Sequence, residues 1–189
     1  MNTASALRSA VTPHAAREAG SALRSGTLSF LGHATVGDFV GSTTWVSGAI
    51  AGEGSRTRGW VEAPVATLLT HHERRDRHLR ASMEVGRYPT MRFDLDGVVT
   101  VSSRHDAAEA FDLLLRGRLT IHGVTHAVEL PAAVSRRGDT LHVSAAFSLN
   151  VCLYRIGGLT RFLGLLRMRP QIEVRVDLCF ERTSAQYAA

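Results

Sequence analysis

Ile172-Glu173-Val174-Arg175-Val176-Asp177-Leu178-Cys179-Phe180-Glu181 decides the fold class, because apolar and polar residues alternate along it without a break. Side chains on a β-strand point to opposite faces in turn. Ile172, Val174, Val176, Leu178 and Phe180 therefore share one face, and Glu173, Arg175, Asp177, Cys179 and Glu181 the other. A helix would scatter the same residues around its circumference. The device recurs upstream: Leu141, Val143, Ala145, Phe147 and Leu149 face inward and His142, Ser144, Ser148 and Asn150 outward, with Gly138-Asp139 turning the chain at the entry. Leu115, Leu119 and Ile121 oppose Arg116, Arg118, Thr120 and His122, and Gly123 reverses the chain into residues 124–132. Met91, Phe93 and Leu95 lead into Asp96-Gly97, a favoured hairpin dipeptide, with a strand from Val98 to Val101 beyond it. Segments near 27–32, 45–51 and 57–68 bring the count to about eight strands, an all-β antiparallel barrel or sandwich.

One segment follows a helical period instead. Thr70 and Glu73 have capping-box spacing, Glu73 with Arg77 and Asp76 with Arg80 are i,i+4 pairs, and Leu79 and Met83 share a face, which predicts a short helix over about 72–84. Leu159, Phe162, Leu163 and Leu166 repeat at i, i+3, i+4 and i+7 behind Gly157-Gly158, flanked by Arg161 and Arg167. That pattern predicts a second, amphipathic helix over about 158–167, suited to a lid at a barrel mouth. Residues 1–25, rich in Ala, Ser and Arg around Pro13, carry no apolar period and read as a flexible arm. Residues 26–182 read as one barrel domain and 183–189 as a tail.

The chain has 189 residues, enough for a single domain with a sizeable core. Its 22 basic and 17 acidic residues give a formal charge of +5, and all 22 cations are Arg. A nucleic-acid binder gathers its cations on one element. Here they are scattered from Arg8 to Arg182 among acidic neighbours, as in Glu73-Arg74-Arg75-Asp76-Arg77, which argues against nucleic acid. No apolar run of about 18 residues occurs, and the first 25 residues lack the apolar centre of a secretory signal, so a cytoplasmic setting is expected. In that setting Cys152 and Cys179 read as reduced packing residues. No Gly-x-Ser-x-Gly elbow, phosphate loop or zinc-protease helix is present, so no catalytic residue and no cofactor are expected. Nine histidines raise the question of a metal, above all His71, His72 and His78 beside Asp76, or His122 with His126, but none has ligand spacing and no metal is expected.

Leu68-Leu69-Thr70, then Arg75-Asp76-Arg77-His78-Leu79-Arg80, then Tyr88-Pro89-Thr90-Met91-Arg92-Phe93, together resemble the core signature of the YceI-like family of bacterial lipid-binding proteins. Gly117-Arg118-Leu119-Thr120-Ile121-His122-Gly123-Val124-Thr125-His126 resembles its second signature, a glycine, a short hydrophobic strand and a Gly-Val-Thr turn. The resemblance covers about residues 26–182. It implies an extended, lipocalin-like, eight-stranded antiparallel barrel that binds, transports or sequesters a long amphiphile: a polyisoprenoid, an isoprenoid quinone or a fatty-acid derivative. The chain departs from the family pattern in two places. Many relatives begin with an export signal, which is not seen here. After Phe147 the family reads Asp, an aromatic and Gly-Ile, whereas this chain reads Leu153-Tyr154-Arg155-Ile156.

A carrier needs an apolar lumen and a few polar groups at its mouth. The lumen candidates are Phe30, Phe39, Trp45, Leu79, Met83, Phe93, Leu119, Phe147, Tyr154 and Phe162, with ordinary core packing the competing reading for each. Arg155, Arg161 and Arg167 are the portal candidates, placed to meet an acidic head group or a membrane surface. Arg75 and Asp76 are expected to fasten the helix, and His78 to pack where it meets the barrel. Two other readings stand beside the carrier. One is a filled barrel docking on a membrane surface or a protein partner, and a homodimer is compatible with either the carrier or this reading. The other is a barrel enzyme using His78, His122 or His142 as a base.

Overall fold

The computed structural model describes residues 20–35, 37–105, 109–157, 160–161 and 166–183. Its strands are β1 (Gly20–Gly32), β2 (Phe39–Thr43), β3 (Ser47–Ala51), β4 (Arg58–Pro64), β5 (Thr90–His105), β6 (Glu109–Ile121), β7 (Val124–Arg137), β8 (Thr140–Asn150), β9 (Thr160–Arg161), β10 (Leu166–Arg167) and β11 (Gln171–Arg182). One helix, α1 (Glu73–Ser82), lies between β4 and β5. The strands run β11-β8-β7-β6-β5-β4-β3-β1, all antiparallel, and β1 pairs back onto β11. The sheet thereby closes into an eight-stranded barrel. β2 is an extra strand along the second half of β1, while Gly20–Ala22 of β1 pairs with β3.

The alternation read from β11 is what fixes the register. Val174 pairs with Phe147 and Val176 with Ala145, so the two inward faces coincide. A slip of one residue would turn every one of them to solvent. The outer face carries exposed ion pairs, Arg116 to Glu129 at 2.8 Å, Arg118 to Asp96 at 3.4 Å, and Arg24 to Glu181. Pairs of this kind contribute little stability; they keep a β surface soluble. Inside, rings lie over glycines of the adjoining strand. A Cβ on Gly117 would stand 2.7 Å from the Phe93 ring, and one on Gly32 2.5 Å from that of Phe39. Each ring fills the room that a neighbour's side chain would have taken and so stays against the wall.

The structure departs from the sequence reading in several places. Asp96-Gly97 does not turn the chain: β5 runs on, and the step from Leu95↔Gly117 to Gly97↔Arg116 is a β-bulge. Both apolar runs pair with the one long strand β6, and an Asp-Gly step accommodates a bulge as readily as a hairpin. The expected lid helix over 158–167 is replaced by a short ladder, Arg161↔Leu166 and Thr160↔Arg167. Consecutive glycines without a capping residue disfavour helix initiation there, and Leu159, Phe162 and Leu163 lie outside the described residues. The first strand begins at Gly20, inside the expected arm, because backbone pairing to β3 and β11 holds small residues that carry no apolar signal. Cys179 faces outward as the alternation demands, but Cys152 is exposed and packs against nothing that buries it.

Two clusters of buried residues lie at the α1 end of the barrel, and Leu95, Val134, Leu178 and Phe180 are buried further along it. One cluster holds Phe30, Leu68, Val151, Ile172 and Val174, the other Val65, Met83, Leu119, Ile121 and Tyr154. The middle of the barrel is left open.

Candidate ligand-binding cavity

A cavity of about 430 Å³ occupies the lumen, lined by residues of all eight barrel strands. Its far end is built from Leu95, Val134, Leu141, Leu178 and Phe180, and its near end from Phe30, Ile121 and Met83. Ligand pockets for small molecules span about 300–1,000 Å³, so the barrel is hollow on a useful scale. The lining reaches the surface at the α1 end, where exposed Gly37, Asp38, His78 and Gly157 form a rim. Arg75, His78, Leu79 and Ser82 of α1 line this mouth. Their spacing, i, i+3, i+4 and i+7, is one stripe of a helix.

Asp76 fixes the helix in place. Its Oδ1 accepts bonds from the Thr70 backbone N–H at 2.8 Å and the Thr70 hydroxyl at 2.6 Å. Burial alone would raise its pKa, but those two bonds, with the charges of Arg80 and His71, outweigh burial and hold the carboxyl below its ordinary range. The expected Thr70–Glu73 capping box does not form, since His72 is the N-cap and Thr70 is committed to Asp76. Arg75 meets the barrel through a ring on β2 instead. Its guanidinium carbon lies 4.6 Å from the centre of the Phe39 ring at the mouth.

Two histidines beside the Gly-Val-Thr turn hold the opposite lip. His122 Nδ1 lies 3.1 Å from the Tyr154 carbonyl and His126 Nε2 3.1 Å from that of Leu153. A carbonyl only accepts, so each of these nitrogens carries the proton. They pin the 3-10 turn Val151–Tyr154, which delivers Ile156 and Gly157 to the mouth. The second nitrogen of His122 is buried 3.3 Å from Glu84 Oε1, without hydrogen-bond geometry. Tyr154 is 2 % exposed, edge-on to His126, and burial pushes its phenol pKa up.

A model of the YceI-like domain matches residues 20–180, most of the chain. The chain belongs to the YceI-like family. A sequence comparison with curated proteins gave no match. Solved structures show the same fold at low identity. A polyisoprenoid binding domain from Saccharophagus degradans aligns with a TM-score of 0.73 at 17% identity, covering 88% of this chain and 100% of that one. BcnA of Burkholderia cenocepacia aligns at 0.68 and 12% identity, covering 82% and 95%. The Campylobacter jejuni YCEI protein aligns at 0.58 and 17%, covering 76% and 84%.

Within this YceI-like barrel, Phe30, Phe39, Leu79, Met83, Phe93, Leu119 and Phe147 line the cavity. Trp45 does not: it is 72 % exposed in the link between β2 and β3, where strand alternation has no hold on it. Tyr154 packs behind the lining with Val65 and Met83. Phe162 lies outside the described residues. Arg155 is exposed and off the lining, while Arg161 and Arg167 contribute backbone to the β9–β10 ladder. Arg75 at the mouth was missed as a site residue, although its helical spacing to Leu79 and Ser82 is legible in the sequence.

Proposed function

We propose that this YceI-like protein binds one long, hydrophobic chain in its lumen and carries or sequesters it without altering it chemically. The observation that carries the reading is the cavity of about 430 Å³, walled largely by apolar side chains, whose lining among the described residues reaches the surface where α1 meets the β1–β2 loop. Each methylene buried there contributes about 0.8 kcal/mol, so burial alone supplies affinity. An apolar wall separates chains that differ by one methylene by only about 1–3 kcal/mol, which favours a ligand class over a single compound. The likeness to a polyisoprenoid binding domain supports an isoprenoid lipid or an isoprenoid quinone within that class, with fatty-acid derivatives as its unbranched counterpart. The protein produced in its native host and extracted for lipid mass spectrometry is expected to yield a stoichiometric prenyl or acyl lipid. Repeated recovery of an empty barrel that also fails to bind quinones and isoprenoid lipids added to it overturns the reading.

A further inference from the structure

Among the described residues, one guanidinium reaches the mouth of a largely apolar cavity without a carboxylate beside it. Arg75 is half-buried, lines the mouth, and stacks over the Phe39 ring at 4.6 Å. A cation over a ring face is held by the ring's charge distribution and does not give its N–H groups an oxygen acceptor. No acceptor for them is found among the described residues. Among the described residues that line the cavity, Arg92 is matched by Asp94 at 2.8 Å and Glu62 at 3.1 Å, and Asp38 by His33 at 2.9 Å. Asp76, next to Arg75 in sequence, is committed to Thr70. A partly desolvated guanidinium without a partner is unfavourable until an anion joins it.

We infer that the ligand is an anionic amphiphile whose carboxylate or phosphate head is gripped by Arg75 while its chain occupies the lumen. The inference rests on the carrier reading above and narrows it. A planar fork matches both head groups bidentately, and the mouth is where a chain that enters tail first leaves its head. A neutral head, an alcohol or a quinone ring, leaves the guanidinium without a counter-charge.

The test is equilibrium binding of matched probes to the full chain: geranylgeraniol against geranylgeranyl monophosphate, and hexadecanol against palmitate, each below its micellar concentration. The charged member of at least one pair is expected to bind about tenfold tighter or more, the scale on which charge-assisted bonds exceed neutral ones. Which pair shows the larger preference tells a phosphate head from a carboxylate head. Arg75→Gln should erase the preference, so that the two members of each pair bind alike, Arg75→Lys should keep part of it, and Arg116→Gln, on the outer face, should keep all of it. Equal affinity for charged and neutral probes in the unmodified protein, a measurement that needs no variant, overturns the inference and leaves the carrier reading standing. A preference that survives Arg75→Gln overturns it equally. Failure of all four probes to bind overturns the inference, and the carrier reading falls with it where extraction from the native host also recovers an empty barrel that binds no quinone.

Discussion

The two ends of the barrel are held together by different physics. At the far end, around Leu95, Val134, Leu178 and Phe180, regular antiparallel pairing places apolar side chains inward and nothing else is needed. At the mouth, order depends on hydrogen bonds between residues distant in sequence, His122 to Tyr154 and His126 to Leu153, together with the Asp76–Thr70 clamp. The backbone differs in the same sense. Every non-glycine residue with positive φ among the described residues, His71 at 57°, Glu84 at 45°, His122 at 51° and Arg155 at 56°, flanks the mouth. Strained backbone persists only where its surroundings over-determine it, and it concentrates at functional sites. The wall is a self-specifying container, and the mouth is an assembled fitting whose parts can be changed one at a time.

Breaking the wall should have the largest effect. Phe180 is 2 % exposed and closes the far end. Phe180→Ala is expected to lower stability by about 3–5 kcal/mol, the usual cost of truncating a buried ring, as read by chemical denaturation. A loss below about 1 kcal/mol would place the main support of the fold elsewhere.

Breaking the clamp comes next, and its effect depends on pH. The Asp76 carboxyl titrates lower in the folded chain than in the unfolded one, so it stabilises the fold above the ordinary carboxylate range. That stabilisation drains away as pH falls through the lowered folded value. Asp76→Asn should cost about 1–3 kcal/mol at neutral pH, and the gap to the unmodified protein should shrink on acidification. Parallel stability profiles for the two proteins throughout the acid range would show that the charge is not used.

The same contrast explains what could be read from the sequence. The wall was legible because a period of two is a local property: β8 and β11 show it residue by residue, whereas the strand count left a barrel and a sandwich open, and it is the pairing of β1 with β11 that closes the sheet. Asp96-Gly97 was misread because a bulge and a hairpin use the same dipeptide, and only the length of β6 opposite distinguishes them. The mouth was legible only in part. Helix α1 was foreseen within two residues at each end, but the partner of Thr70 is set by tertiary contact, so Asp76 rather than Glu73 received its bonds. Trp45 was assigned to the lumen for its size, when its position in a connection left it outside. Arg75 reads with Asp76 as a fastener of the helix because the two are neighbours in the same signature, whereas adjacent positions on a helix point apart and Arg75 sits on the stripe opposite Phe39 that borders the cavity.

The smallest expected effect tests the mouth without dismantling it. Arg155 ends the 3-10 turn in a left-handed conformation, φ 56° and ψ 24°, where the family pattern has glycine. A side chain there costs about 1–2 kcal/mol of backbone strain, while glycine would add unfolded-state entropy worth about 0.5–1 kcal/mol in the opposite direction. Its backbone bond, from Arg155 N–H to the Cys152 carbonyl at 3.0 Å, does not depend on the side chain. Arg155→Gly should therefore stabilise the protein by up to about 1 kcal/mol, a rise in Tm of roughly 2–4 °C for a chain of this size. Strain is then the only thing the arginine contributes to folding, and lipid loading decides whether it contributes to function. Loading unchanged in the stabilised variant assigns the mouth's working cation to Arg75. A more stable protein that no longer retains lipid would return that role to Arg155, and the loss of glycine at this position would then be the feature that distinguishes this barrel from the family pattern.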